Sequence, residues 1–273
     1  MRRMIDFACH GDRLAGTIDE ADGTTGLLIV SGGNEIRSGA YAGQAAMAQQ
    51  FADKGYPVFR YDRRGVGDSE GENGGFESSA DDIAAAVATF RADAPQMQKL
   101  VAFGNCDAAT ALALFHAGLP IDALVLANPW VIEPSNTEPD APTPPSAAAI
   151  RARYLARLKN PRSLLDLFTG KIDLRKLAGG LTKAVKKEEP SGLAERVATA
   201  LAHSSLPIHI LIAQRDTTAL AFMGAWHTSA FDGVRARSDI ELTMLDTASH
   251  CFADAASKMH LSEKIAAMLH VEQ

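Results

Sequence analysis

Residues 100–109 read LVAFGNCDAA, and this stretch decides the fold of the chain. Its first half is a short apolar run typical of a buried strand, and an Ala- and Leu-rich helical pattern begins directly after Cys106. Gly104 and Ala108 are both small, which a sharp turn between strand and helix requires, because larger side chains would collide with those two elements. The sequence therefore predicts a strand, a tight turn and a helix, with a cysteine at the apex.

Strand and helix patterns alternate on both sides of this turn. A leading antiparallel hairpin is predicted at 4–9 and 12–18. Further strands are predicted at 26–30, 57–61, 100–103, 121–127, 207–213 and 240–245, and helices at 40–54, 79–91, 107–117, 218–230 and 252–269. Such alternation is typical of βαβ units. We expect an α/β fold in which helices cover both faces of a mostly parallel, twisted sheet.

The alternation stops after residue 130. Residues 131–147 are rich in Pro, Ser and Thr and predict a loop, whereas 148–203 have a helical pattern with clusters of Arg and Lys. We expect 131–203 to form a helical cap inserted into a core made of 1–130 and 204–273. A plain helical layer on the surface is the alternative. The basic residues of this block either face solvent or recognise an anionic substrate.

Charge and hydropathy exclude several classes of protein. The net charge of −6 and the pI near 5.7 argue against a nucleic-acid partner, since such proteins usually carry a basic surface. No apolar run approaches the roughly 20 residues of a membrane span. Arg2 and Arg3 are not followed by the apolar stretch of a signal peptide, so we expect a cytoplasmic protein.

The cysteine count and the motifs present predict no cofactor. Cys9, Cys106 and Cys251 are too few for a disulfide framework, and their spacing fits no zinc site. No metal or nucleotide motif is present. The oligomeric state cannot be read from the sequence, and a homodimer is one of the options.

Cys106 has the position and the partners of a nucleophile. The following helix directs its N-terminal dipole at the sulfur, which favours the thiolate. His250 follows the last predicted strand and Asp216 follows the strand before it, so nucleophile, acid and base occur in the order expected for this kind of turn. Asp246 is the rival acid. Cys251 is either a core thiol, which we favour, or a second thiol at the site.

An acyl intermediate also requires donors for its oxyanion. One should be the backbone N–H of Asp107, the residue after the nucleophile. The other should come from the glycine-rich loop at 31–35, where Asn34 is the first choice and Gly33 the second.

These motifs resemble those of the α/β-hydrolase superfamily along nearly the whole chain. Residues 61–69, YDRRGVGDS, are similar to the superfamily's D-x-R-G-x-G-x-S segment, whose role is structural. The elbow GNCDAA at 104–109 and the loop SGGN at 31–34 resemble the exosortase A system-associated hydrolases, a bacterial group usually encoded with exopolysaccharide biosynthesis genes. Dienelactone hydrolases also combine Cys, His and Asp in this fold, so the resemblance implies a workable cysteine triad.

Three functions fit this pattern. The first is an acyl hydrolase, an esterase or thioesterase of the carboxylesterase type, which forms an acyl-thioester on Cys106 with His250 and Asp216 and takes a small-molecule acyl substrate. The second is an acyltransferase that uses the same residues to modify a saccharide or lipid carrier. The third, suggested by cysteine in the place of serine, is a non-catalytic binding protein.

Overall fold

The computed structural model describes residues 1–133 and 192–270. These residues contain an eight-stranded sheet in the order β1-β2-β4-β3-β5-β6-β7-β8. The strands are β1 Arg2–Cys9, β2 Asp12–Asp19, β3 Thr25–Val30, β4 Val58–Tyr61, β5 Lys99–Asn105, β6 Ala123–Ala127, β7 Ile208–Ala213 and β8 Ile240–Leu245. Strand β2 pairs antiparallel with both of its neighbours, and every other pair is parallel. The predicted leading hairpin and parallel sheet are confirmed.

Seven α-helices surround this sheet in the described residues. They are α1 Gly43–Ala52, α2 Ser79–Asp93, α3 Asp107–Phe115, α4 Gly192–His203, α5 Thr217–Trp226, α6 Asp232–Arg235 and α7 Ala255–His270. Short 3-10 helices lie at Ala40–Ala42, Phe76–Ser78 and Ser229–Phe231. Buried residues of α2, α3, α4 and α5 belong to one hydrophobic cluster, and those of α1 and α7 belong to another. The predicted arrangement of helices on both faces is confirmed.

The alternation of side chains along the parallel strands produces these two clusters. In β3, Leu28 and Val30 contribute to the larger cluster, while Leu27 and Ile29 contribute to the smaller one. Successive strand residues point to opposite faces, so a strand covered by helices on both sides must be apolar throughout. The continuous apolar runs that predicted buried strands have this cause.

Two helices begin later than their patterns predicted, and the second of them, expected from residue 252, starts at Ala255. The helix expected from residue 40 starts at Gly43, after a 3-10 turn in which Tyr41 and Ala42 have φ of 52° and 56°. These left-handed conformations interrupt the regular ladder of helical hydrogen bonds. The Tyr41 side chain is almost fully exposed as a result of this turn.

The predicted cap falls mainly on residues 134–191, which lie outside the described part of the chain. Its last segment is described, and there α4 packs against α3. Leu193, Val197 and Leu201 on α4 are buried in the larger hydrophobic cluster. Helix α4 is thus part of the layer that covers the sheet, and the cap at 134–191 stays a prediction. None of the helices in the described residues is long and apolar enough to cross a membrane.

Truncating a core aromatic residue should test the larger cluster. Phe59 is fully buried and its ring contacts those of Phe7, Tyr61 and Phe90. We predict that Phe59→Ala lowers the free energy of unfolding by roughly 3–5 kcal/mol, because it removes apolar contact and leaves a cavity. Urea denaturation measures the loss. The exposed Met4→Ala is the control, with an expected change within about 0.5 kcal/mol.

Candidate active site

Cys106 lies at a strained turn between β5 and α3. Its backbone φ is 62° and ψ is −127°, a conformation that a residue with a side chain adopts only when its surroundings impose it. Its N–H donates to the Ala127 carbonyl at 2.9 Å, and its own carbonyl accepts from the Trp130 N–H at 3.2 Å. A Cβ at Gly104 would lie 2.7 Å from the Ala108 carbonyl carbon, so the turn requires glycine there.

The structure brings His250 and Asp216 to this turn. His250 lies in the loop between β8 and α7, and its Nδ1 is 3.0 Å from Asp216 Oδ2. The Cys106 side chain is also close enough to this ring to raise its pKa. Asp216 caps α5, and its carboxylate accepts the Ala219 N–H at 3.0 Å. The start of α5 therefore fixes the Asp216 carboxylate in the position from which it orients His250.

The rival acid lies elsewhere. Asp246 Oδ1 is 3.0 Å from Arg215 Nε, and the Asp246 side chain is 80% exposed. Asp216, in contrast, is 10% exposed at the side chain and contacts the imidazole directly. Of the two candidate acids, Asp216 is the one that contacts His250, and its role stays a prediction.

Hydrogen bonding determines the protonation states of His250 and Asp216. The bonds with Asp216 and Cys106 raise the pKa of His250 from 6.5 to about 10, although burial opposes the rise. Burial acts to raise the pKa of Asp216, but the bonds with His250 and the Ala219 N–H outweigh it and lower that pKa. At neutral pH the site therefore holds an imidazolium between a carboxylate and a sulfur.

The expected oxyanion donors lie next to the turn, with their polar groups engaged in different ways. The Gly33 N–H donates to Asp107 Oδ1 at 2.5 Å. The Asn34 side chain faces Asn73 instead, whose Nδ2 donates to Asn34 Oδ1 at 2.8 Å. Gly32 lies so close to the turn that a Cβ there would be 2.6 Å from the Asn105 carbonyl oxygen. The loop after β3 thus contacts the turn directly.

Asn128, which no motif in the sequence indicated, links the three candidate catalytic segments. It is fully buried at the end of β6, with φ of 43°. Its Nδ2 donates to Asn105 Oδ1 at 3.2 Å and to the His250 carbonyl at 3.0 Å, while its Oδ1 accepts the Ala213 N–H at 2.8 Å. A polar residue at the end of an apolar strand, next to Pro129, was the available signal.

Cys251 is not a core residue, so the interpretation favoured from the sequence is wrong. Its side chain is exposed, and its Sγ lies 3.8 Å from Glu35 Oε1. Partial desolvation, followed by the charge of Glu35, raises the pKa of Cys251 to about 11. The chain turns outward here because Phe252, with φ of 51°, fills the core position instead.

A cleft of about 150 Å³ has the chain neighbours of two candidate catalytic residues in its lining. Its lining has a polar part and an apolar part. The polar residues include Glu35, Gln44, Asn105, Cys251 and Lys258, and the apolar residues include Met47, Phe103, Phe252 and Leu261. Asn105 and Cys251 adjoin Cys106 and His250 in the chain, whereas Cys106, His250 and Asp216 do not line the cleft themselves.

Comparison with known families identifies the chain. The family model Hydrolase_4, described as serine aminopeptidase S33, matches residues 24–253. The chain belongs to this family. It is therefore a hydrolase. No curated protein gave a match.

Solved structures share the fold over almost the whole chain. Esterase Pf2001 of Pyrococcus furiosus is 14% identical, with a TM-score of 0.64 over 98% of this chain and 90% of that one. The α/β hydrolase GrgF from Penicillium sp. sh18 is 17% identical, with a TM-score of 0.63 over 97% of each chain. The thioesterase domain from the curacin biosynthetic pathway is 11% identical, with a TM-score of 0.56 over 98% and 99%. The predicted α/β-hydrolase fold is confirmed.

Within residues 1–133 and 192–270, no group of three or more His, Cys, Asp and Glu side chains is arranged to hold a metal ion.

The His250 interactions should make stability depend on pH. Because its pKa is raised in the folded protein, the imidazolium stabilises the fold fully below about pH 6.5, and this contribution is lost as pH rises through about 10. We predict that the Tm advantage of the wild type over His250→Ala shrinks across that range in thermal melts. Lys, Tyr and the other Cys residues are present in both proteins, so their titration does not change the Tm difference between them. A constant difference would mean that His250 is neutral at pH 7.

Removing the Asn128 side chain should loosen the link between segments. We predict that Asn128→Ala lowers the free energy of unfolding by at least about 2 kcal/mol, because the buried Ala213 N–H and His250 carbonyl lose their partners. Urea denaturation measures the loss, and hydrogen exchange should show faster exchange of the Ala213 amide. The exposed Gln49→Ala is the control. A loss below about 0.5 kcal/mol would contradict the linking role.

Proposed function

We propose that the protein is an acyl hydrolase, an esterase or thioesterase, in which Cys106 is the nucleophile, His250 the acid and base, and Asp216 the orienting carboxylate. The single observation that carries the proposal is the position of Cys106. It occupies a strained strand-to-helix turn and raises the pKa of His250, whose Nδ1 lies 3.0 Å from Asp216 Oδ2. A buried structural cysteine needs neither the strain nor the histidine.

The proposed reaction has two steps. The Cys106 thiolate attacks the substrate carbonyl, and the oxyanion collapses as His250 gives its proton to the departing alkoxide or thiolate. An acyl-thioester on Cys106 remains. A water molecule then gives a proton to the neutral His250 and attacks the thioester, which releases the acid and restores the thiolate-imidazolium pair. Asp216 keeps Nδ1 of the imidazole protonated, so that the other nitrogen faces the sulfur and the substrate.

Two observations favour an ester or thioester substrate. Structural neighbours include an esterase and a thioesterase domain, which supports this chemistry by analogy of fold. A thiolate is also a better leaving group than an amine. A tetrahedral adduct of an amide would therefore return its thiolate readily, whereas the adduct of a thioester or of an ester with an activated leaving group can expel that group instead.

The cysteine also motivates a second candidate function. An acyl-thioester can pass its acyl group to an alcohol or amine as well as to water, so an acyltransferase is compatible with the same residues. The motif resemblance to the exosortase A system-associated hydrolases supports a saccharide or lipid carrier as the acceptor. Product analysis with and without a sugar acceptor separates the two, because a product that is always the free acid excludes transfer.

Turnover of short p-nitrophenyl esters and of alkyl thioesters should depend on all three residues. We predict that Cys106→Ala and His250→Ala abolish turnover, and that Asp216→Asn lowers kcat at least about 100-fold, because the imidazole loses its orientation. Asp246→Asn is the matched control, since this exposed carboxylate does not contact His250. Intact-protein and peptide mass spectrometry should find the acyl group on Cys106. Unchanged turnover in Cys106→Ala would exclude the proposal.

A further inference from the structure

The carboxylate of Asp107 lies at the Gly33 N–H, where the oxyanion of a substrate is expected. The Gly33 N–H, one of the two candidate loop donors, donates to Asp107 Oδ1 at 2.5 Å. The Asp107 side chain is 16% exposed and Gly33 is exposed, so this charge-assisted bond lies at the surface of the site. In this state the Gly33 amide is already bound to an anion that the protein itself supplies.

Arg63 holds the carbonyl group of Gly33. Its guanidinium is 4% exposed at the side chain and donates to the Gly33 carbonyl and, at 3.1 Å, to Ser79 Oγ. The same Arg63 group lies 3.7 Å from Asp107 Oδ2, beyond a direct hydrogen bond but within the range of an ion pair. The cation that holds the Gly33 carbonyl therefore also lies next to the Asp107 carboxylate.

The loop after β3 contacts the turn at Gly32. A Cβ at Gly32 would lie 2.5 Å from Asp107 Oδ1 and 2.6 Å from the Asn105 carbonyl oxygen, so the loop is in contact with the turn at this point. Because the Asp107 carboxylate already accepts the Gly33 N–H, it must release this donor before the amide can bind a substrate oxygen. A carboxylate and an oxyanion are both negative and cannot share one donor at hydrogen-bond distance.

We propose that Asp107 is a positioning residue that gates the oxyanion hole: it holds the Gly33 N–H until a substrate carbonyl displaces it towards Arg63. The inference rests on the proposed acyl chemistry at Cys106. Opening the gate adds to the cost of substrate binding and not to the chemical step. The gate therefore raises KM for weakly bound esters and leaves kcat nearly unchanged.

Asp107→Asn tests the gate, since the amide keeps the size of the side chain and removes its charge. We expect KM for p-nitrophenyl acetate to fall about tenfold at similar kcat. An aldehyde inhibitor, which adds to Cys106 and places its oxygen in the hole, should bind more tightly by a similar factor. Asp68→Asn, which removes an exposed charge outside the site, is the matched control. Thermal melts show whether each variant is folded.

Alkylation by iodoacetamide distinguishes the proposed gate from a direct effect of the Asp107 charge on the reactivity of the Cys106 thiol. This reaction uses the Cys106 sulfur but develops no oxyanion. We expect its rate to change less than twofold in Asp107→Asn. A rise in alkylation equal to the gain in ester turnover would overturn the gate, and so would a fall in kcat with unchanged KM, which indicates a plain structural clamp.

The two proposals fail in different ways. One outcome is that the wild type is alkylated at Cys106 but that neither it nor Asp107→Asn forms an acyl-enzyme. The proposed acyl chemistry is then wrong, and the gate, which depends on that chemistry, is wrong as well. If both proteins form the acyl-enzyme with equal KM and equal aldehyde affinity, only the gate is wrong. Should Asp107→Asn unfold, Asp107→Glu provides the second variant. Its longer carboxylate cannot keep the same short bond to Gly33, and the gate again predicts a changed KM at similar kcat.

Discussion

The strained backbone of Cys106 is the constraint on which the rest of the site depends. A residue with a side chain at φ of 62° and ψ of −127° costs free energy, of the order of 1–3 kcal/mol, and persists only where its neighbours impose it. Here the end of β6 holds both its N–H and its carbonyl, and Gly104 leaves the space in which α3 can begin. This strained conformation exposes the Cys106 sulfur above the sheet.

Buried polar contacts extend from that turn to the other strand ends. Asn128 joins the turn, the end of β7 and the His250 loop through one side chain, and Asp216 is fixed by the start of α5. Such a network specifies one geometry because each of its buried groups would lose a partner in any other. The histidine then needs only its carboxylate and the sulfur to be charged at neutral pH.

The features that depend on local pattern were predictable, and those that depend on tertiary contact were not. Period and composition predicted the sheet, the turn at Cys106, and the positions of His250 and Asp216 at strand ends. Cys251 was misjudged because Phe252 takes the core position next to it, which chain periodicity cannot show. The contact between Asp107 and Gly33 joins residues 74 positions apart, so no local signal could reveal it. The start of α1 at Gly43 likewise follows from left-handed residues at 41 and 42.

The different surroundings of the three thiols make the protein its own internal reference for covalent labelling. Cys9 is buried against Asp82, and Cys251 stays protonated because its pKa is about 11. Of the three sulfurs, that of Cys106 is the one placed beside the His250 imidazolium. Limited labelling of the purified protein with a fluorescent maleimide, followed by peptide mapping, would therefore compare the three environments within one molecule, without removing any cysteine.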